Sequence, residues 1–111
     1  MHAGPFAGYK FLIIEDEMLI AWRVGDIVAD LGGTVGKIAF NYEQGQDALT
    51  AVDWDCAIVD INLHGKVVFP LVAMIEQAGI PFCVLQRVRG RHHQCLPGSR
   101  FQGVRHQAGD D

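Results

Sequence analysis

Four carboxylates stand where they could do chemistry. Glu15, Asp16 and Glu17 follow each other directly after the apolar run Phe11-Leu12-Ile13-Ile14, and Asp60 closes a second apolar run, Cys56-Ala57-Ile58-Val59. Like charges packed together repel and raise one another's pKa unless a cation lies among them. A hard divalent ion with oxygen ligands is the natural partner, and Mg²⁺ takes few carboxylates while keeping part of its water shell. There is no glycine-rich phosphate loop of either standard type, so a nucleophile here would be a carboxylate. For Asp16 alone, a helix N-cap would be a sufficient role, with Glu15 and Glu17 as favourable charges at the helix dipole. Asp60 is harder to explain that way, because a charge inside a buried strand is costly unless it is paired or sits at the strand mouth.

The elements that must position these residues are legible in the hydrophobic pattern. Runs without alternation suit strands buried on both faces, as in a parallel sheet. Such runs fall at Lys10 to Glu15, Cys56 to Ile61 and Ile80 to Leu85, and Thr34 to Phe40 is a further strand candidate through its β-branched Thr34, Val35 and Ile38. Between them lie helical spacings. Leu19, Ile20, Val24, Ile27, Val28 and Leu31 form an inward stripe with Arg23, Asp26 and Asp30 opposite, ended by Gly32-Gly33. Glu43 to Val52 follows with Asn41 as its cap and Ala48, Leu49 and Val52 inward. Phe69 to Gln77 carries Leu71, Val72 and Ile75, with Pro70 in the first turn. The order β-α-β-α-β-α-β predicts an open, doubly wound α/β sheet. In such sheets ligands bind beyond the carboxyl ends of the strands, where strand order reverses. Glu15, Asp16 and Asp60 would meet there if the first and third strands are neighbours.

These residues resemble a family. F-L-I-I-E-D-E-M-L-I-A, D-I-N-L-H-G after C-A-I-V, and A-G-I-P-F are similar to the receiver domain of bacterial two-component response regulators, over about residues 9–86. The resemblance implies a flavodoxin-like fold with strand order 2-1-3-4 and no fifth strand legible. It implies that Asp60 accepts a phosphoryl group from a histidine kinase or phosphotransfer protein, with Mg²⁺ held by Glu15, Asp16, Asp60 and the backbone carbonyl of Asn62. It further implies a signalling module acting through an output protein not named by the sequence, rather than an enzyme with its own substrate. Gln86 stands where the family has the Thr or Ser that serves as its switch. The family's lysine at the end of strand five has no counterpart, because Lys10, Lys37 and Lys66 are the only lysines. An alternative is a receiver-like interaction module whose switch is broken and which works without phosphorylation. A phosphatase with an Asp nucleophile would want a second Asp where Asn62 stands.

Composition sets the outer bounds. The chain has 111 residues, half of them apolar, and a formal net charge of −4. That is enough for one domain with a real core. No stretch is long and apolar enough to span a bilayer, and residues 1–9 lack the features of a secretory signal. A cytoplasmic protein that is not a membrane or nucleic-acid binder is the expectation. The charge is uneven: residues 1–86 carry −7, whereas residues 87–111 carry +3 with 5 Arg and 6 apolar residues among 25. This atypical basic tail replaces the helix, strand and helix that close a receiver. Three readings of it stay open: a disordered segment, one that orders on a partner or a second copy, or an out-of-frame product of a GC-rich gene. Without a closing strand, the edge of the fourth strand would invite pairing, so a homodimer is kept among the expected partners. Cys56 and Cys83 sit in apolar runs and read as buried free thiols, and His92, His93, Cys95 and His106 match no standard zinc spacing.

Overall fold

The computed structural model describes residues 4–61, 63, 68–88 and 92–97. The elements run β1 (Lys10–Ile14), α1 (Met18–Asp30), β2 (Thr34–Ala39), α2 (Tyr42–Ala51), β3 (Cys56–Asp60), α3 (Phe69–Gln77), β4 (Phe82–Val88) and β5 (His92–Pro97). They form one sheet of order β2-β1-β3-β4-β5. The first four strands are parallel, with helices between them, as the hydrophobic runs predict.

Each strand of the sheet's centre divides its side chains between two faces, because successive residues point to opposite sides. Leu12, Ile14, Ala57, Val59 and Phe82 pack with Leu71 and Ile75 of α3 and Ala48 of α2. Phe11, Ile13, Cys56, Ile58 and Leu85 pack with Ala21 and Val28 of α1. Burial on both faces is why these strands read as continuous apolar runs rather than as alternating ones. Leu71 is fully buried in the first cluster. Leu71→Ala is therefore expected to cost about 2–5 kcal/mol of stability in a denaturant melt.

The helix ends follow from local chemistry. Asn41 caps α2 as expected, its Oδ1 accepting the Gln44 amide at 2.8 Å. After α1, Gly32 takes φ +94. Its amide donates to the Ala29 carbonyl at 3.0 Å, and the Gly33 amide donates to Val28 at 2.9 Å. Only a residue free to adopt that left-handed conformation closes a helix this way. Trp54 is buried against α2 and donates its indole N–H to the Ala48 carbonyl at 2.9 Å.

Three local expectations are corrected. The inward stripe of α1 does not include Leu19, Ile27 or Leu31, all of them exposed, and Val52 after α2 is exposed rather than inward. The buried line of α1 runs instead through Ala21 and Val28, with Val24 packed beside it. Gly25 lies part-buried beside β2, where a Cβ would meet Val35 Cγ2 in ordinary contact at 3.6 Å. Second, β4 does not stop at Leu85. It continues to Val88 and pairs antiparallel with β5, Leu85 opposite Cys95 and Val88 opposite His92. No apolar periodicity announces β5, which its backbone ladder with β4 defines. Pro97 at its last position is tolerated at an edge. The β4 edge that would have invited a second chain is thus occupied within this one. Third, Cys56 is a free, buried thiol pushed up to about 12 by burial, but Cys83 is disulfide-bonded. An apolar run dictates burial of a cysteine and says nothing of its oxidation state. Residues 98–111, and with them most of the tail readings, lie outside the described residues, as does His106. Among the described residues, no helix is long and apolar enough to cross a membrane.

Candidate metal centre at the carboxyl end of the sheet

The register of the sheet brings the acidic residues together. β1 and β3 pair in parallel with Phe11 opposite Cys56 and Ile14 opposite Val59. One further step along both strands sets Glu15 level with Asp60. Both continue the side-chain alternation that puts Phe11, Ile13, Cys56 and Ile58 under α1. Asp60 in turn pairs with Leu85 of β4. A period of two and a parallel register are sufficient to make two carboxylates neighbours 45 residues apart.

Both are out of water. Glu15 is 0% exposed and Asp60 4%, and they are the buried charged residues among those described. Asp16, in the turn between β1 and α1, is half-buried beside them. One oxygen from each of Glu15, Asp16 and Asp60 can be chosen so that all three lie within 4.8 Å of one another. Glu15 Oε2 accepts the Glu17 amide at 3.0 Å. Its other oxygen, Oε1, is buried and has no hydrogen-bond partner. Burial lifts the Glu15 carboxyl from its ordinary 4.5 to about 8. The Glu17 amide opposes that rise, while the neighbouring Asp60 and Asp16 carboxyls add to it. The cluster therefore holds a proton at neutral pH, or a cation in its place.

The N-cap role for Asp16 does not hold. The N-cap position of α1 is Glu17, and no side chain there caps the helix. The Asp16 carboxylate lies with Glu15 and Asp60 instead. Of the sequence-predicted site residues, Glu15, Asp16 and Asp60 are brought together. Asn62 lies outside the described residues. Gln86 sits one residue past Leu85, inside β4 rather than after it, with its side chain exposed. Glu15 and Asp60 are the two desolvated carboxylates of the cluster, and both were legible as strand-end carboxylates.

No family model matches the chain, and no curated protein does. Solved structures do. The receiver (REC) domain of the PhyR response regulator of Erythrobacter litoralis, determined by solution NMR, superposes with a TM-score of 0.66 at 28% identity. The match covers 73% of this chain and 64% of that one. A structure of the PhyR stress response regulator matches with a TM-score of 0.65 at 24% identity, over 72% of this chain and 32% of that one. The chain has the receiver fold. It spans less than two thirds of the first of these neighbours and about a third of the second. The receiver fold accounts for the four parallel strands in the order 2-1-3-4 and for an acidic group at their carboxyl end. The antiparallel β5 is an addition to that order.

Proposed function

We propose that this receiver is a phosphoacceptor, taking a phosphoryl group on Asp60 from the phosphohistidine of a histidine kinase or phosphotransfer protein. The observation that carries the reading is Glu15 Oε1: a buried carboxylate oxygen with no hydrogen-bond partner, in a cluster of three carboxylates within 4.8 Å. A buried polar atom in that state is a ligand short of its ligand. The donor set is all oxygen, which fits a hard cation such as Mg²⁺. Glu15, Asp16 and Asp60 would hold it, with the Asn62 carbonyl as a further ligand by the family pattern. Bound there, Mg²⁺ supplies charge neutralisation for the phosphoryl oxygens.

The remaining work falls to the chain itself. Asp60 presents a carboxylate oxygen in line with the incoming phosphorus. The new O–P bond forms as the N–P bond of the phosphohistidine breaks, and the imidazole leaves with that electron pair. The apolar shell of Ile58, Leu85 and Ile13 beneath the carboxylates keeps Asp60 fixed at the strand mouth. Gln86 takes the place of the family's hydroxyl residue, one position beyond the strand neighbour of Asp60. Its amide can donate to a phosphoryl oxygen, although no lysine follows Lys66 to add an ammonium charge. The chain passes its signal through protein contacts rather than turning over a separate substrate, and residues 9–86 form the working unit.

The test uses a small phosphodonor in place of a kinase. Incubation with the donor and Mg²⁺ is expected to add about 80 Da, the mass of one phosphoryl group. The same incubation with a chelator in excess should leave the mass unchanged. An adduct of equal yield in both samples would remove the metal from the account.

A further inference from the structure

The antiparallel strand β5 has little in its own sequence to hold it on the sheet. In His92-His93-Gln94-Cys95-Leu96-Pro97 the one large aliphatic residue is Leu96. Cys83, on the neighbouring strand β4, is 2% exposed and disulfide-bonded. The chain has three cysteines and Cys56 is free, which leaves Cys95 as the partner of Cys83. We infer that this bond is a redox-controlled latch: oxidised, it holds β5 along the edge of β4; reduced, it lets β5 leave and bares that edge.

The register agrees with that pairing. Pro97 stands opposite Cys83 and Cys95 opposite Leu85, so the two cysteines are diagonal neighbours across the ladder. Positions two apart on a strand belong to one face of the sheet, so the bond joins the strands on a single face. It closes the loop between residues 83 and 95 and removes the freedom that β5 would gain by leaving. Without it, β5 is a short edge ladder whose sequence shows no apolar alternation, the kind of element that opens first. The third cysteine does not interfere. Cys56 lies two residues before Ile58, which pairs with Cys83. Burial pushes the Cys56 thiol up to about 12, so it stays protonated and does not attack the bond. Opening therefore needs an outside dithiol. One of its thiolates attacks a sulfur of the bond to form a mixed disulfide, and its second thiol closes on the first and releases the remaining cysteine. Two electrons and two protons pass to Cys83 and Cys95, and the dithiol leaves as its cyclic disulfide. The latch adjoins the acidic site, because Leu85, opposite Cys95, is also the strand neighbour of Asp60. Gln86 follows in the same ladder, opposite Gln94. Redox state thus sets how firmly β4 is held beside Asp60.

Thiol titration of the denatured full chain should give one thiol before treatment with dithiothreitol and three after it, and a peptide map of the oxidised chain should join Cys83 to Cys95. Amide hydrogen exchange then reads the latch itself. Reduction is expected to speed exchange at the β4 amides paired with β5 by about tenfold or more, while Lys10–Ile14, at the centre of the sheet, keeps its protection. Cys95→Ser should show the fast pattern with and without dithiothreitol, and it changes a residue of the edge strand rather than of the buried strand β4. An oxidised chain with no link between Cys83 and Cys95 overturns the inference. So does a reduced chain, or Cys95→Ser, whose β4 amides stay as protected as in the oxidised wild type. Loss of protection in Lys10–Ile14 as well overturns it too, since the bond would then hold the whole fold rather than one strand. None of these outcomes bears on the phosphoacceptor reading, which is tested by mass.

Discussion

Glu15→Gln is expected to stabilise the metal-free protein at pH 8 and to flatten its pH dependence. The Glu15 carboxyl rises from 4.5 to about 8 on folding, chiefly by burial. Between those values the folded chain binds a proton that the unfolded chain has released. Stability therefore falls as pH rises through that window. The full difference corresponds to at most about 5 kcal/mol at one charge, by the usual 1.36 kcal/mol per pKa unit, and relaxation of the site lowers it. Glutamine keeps the shape and a carbonyl acceptor for the Glu17 amide, and it never carries the charge. Denaturant melts from pH 5 to pH 8 without divalent cations should show the wild type losing several kcal/mol and the variant losing little. Parallel curves for the two proteins would mean that Glu15 is not the group that titrates.

Added Mg²⁺ should reverse the wild-type loss. A cation that binds the folded state alone stabilises it by mass action, by about 2.7 kcal/mol at a hundredfold excess over its dissociation constant. It also replaces the proton on Glu15, so the gain should be larger at pH 8 than at pH 5. Asp60→Asn removes one ligand charge and the repulsion that Asp60 exerts on Glu15 at once. Two opposite effects follow: the metal-free variant should be more stable than the wild type at pH 8, and its response to Mg²⁺ should fall at least tenfold in concentration. A thermal melt with and without 10-fold steps of Mg²⁺ reads both. A variant that is less stable without metal and responds normally with it would place the cation elsewhere.

The central architecture was legible in the sequence because burial on both sheet faces leaves a plain signature. Three apolar runs and the β-branched stretch Thr34–Ile38, separated by helical spacings, are enough to find β1 to β4, and the strand ends then name Glu15, Asp16 and Asp60. What stayed hidden depended on information that hydrophobic patterning does not carry. The buried line of α1 runs through Ala21 and Val28, and an alanine carries a weaker apolar signal than the exposed Leu19 and Ile27. β5 is defined by its backbone ladder with β4, and His92 to Pro97 show no alternation to read. The oxidation of Cys83 has no compositional trace. Local preference favours Asp16 as the N-cap of α1, yet the helix starts one residue later, after Glu17. The structure gives Asp16 to the acidic cluster instead, and that departure from local preference is itself a mark of the site.

The central claim is that Asp60 is the nucleophile. Wild type and Asp60→Asn should be incubated side by side with Mg²⁺ and a small phosphodonor, and their intact masses compared. The account predicts an adduct of about 80 Da on the wild type alone, labile to hydroxylamine as an acyl phosphate is, and mapping to the peptide that carries Asp60. An adduct on Asp60→Asn in equal yield, or none on a folded, Mg²⁺-binding wild type, would contradict it.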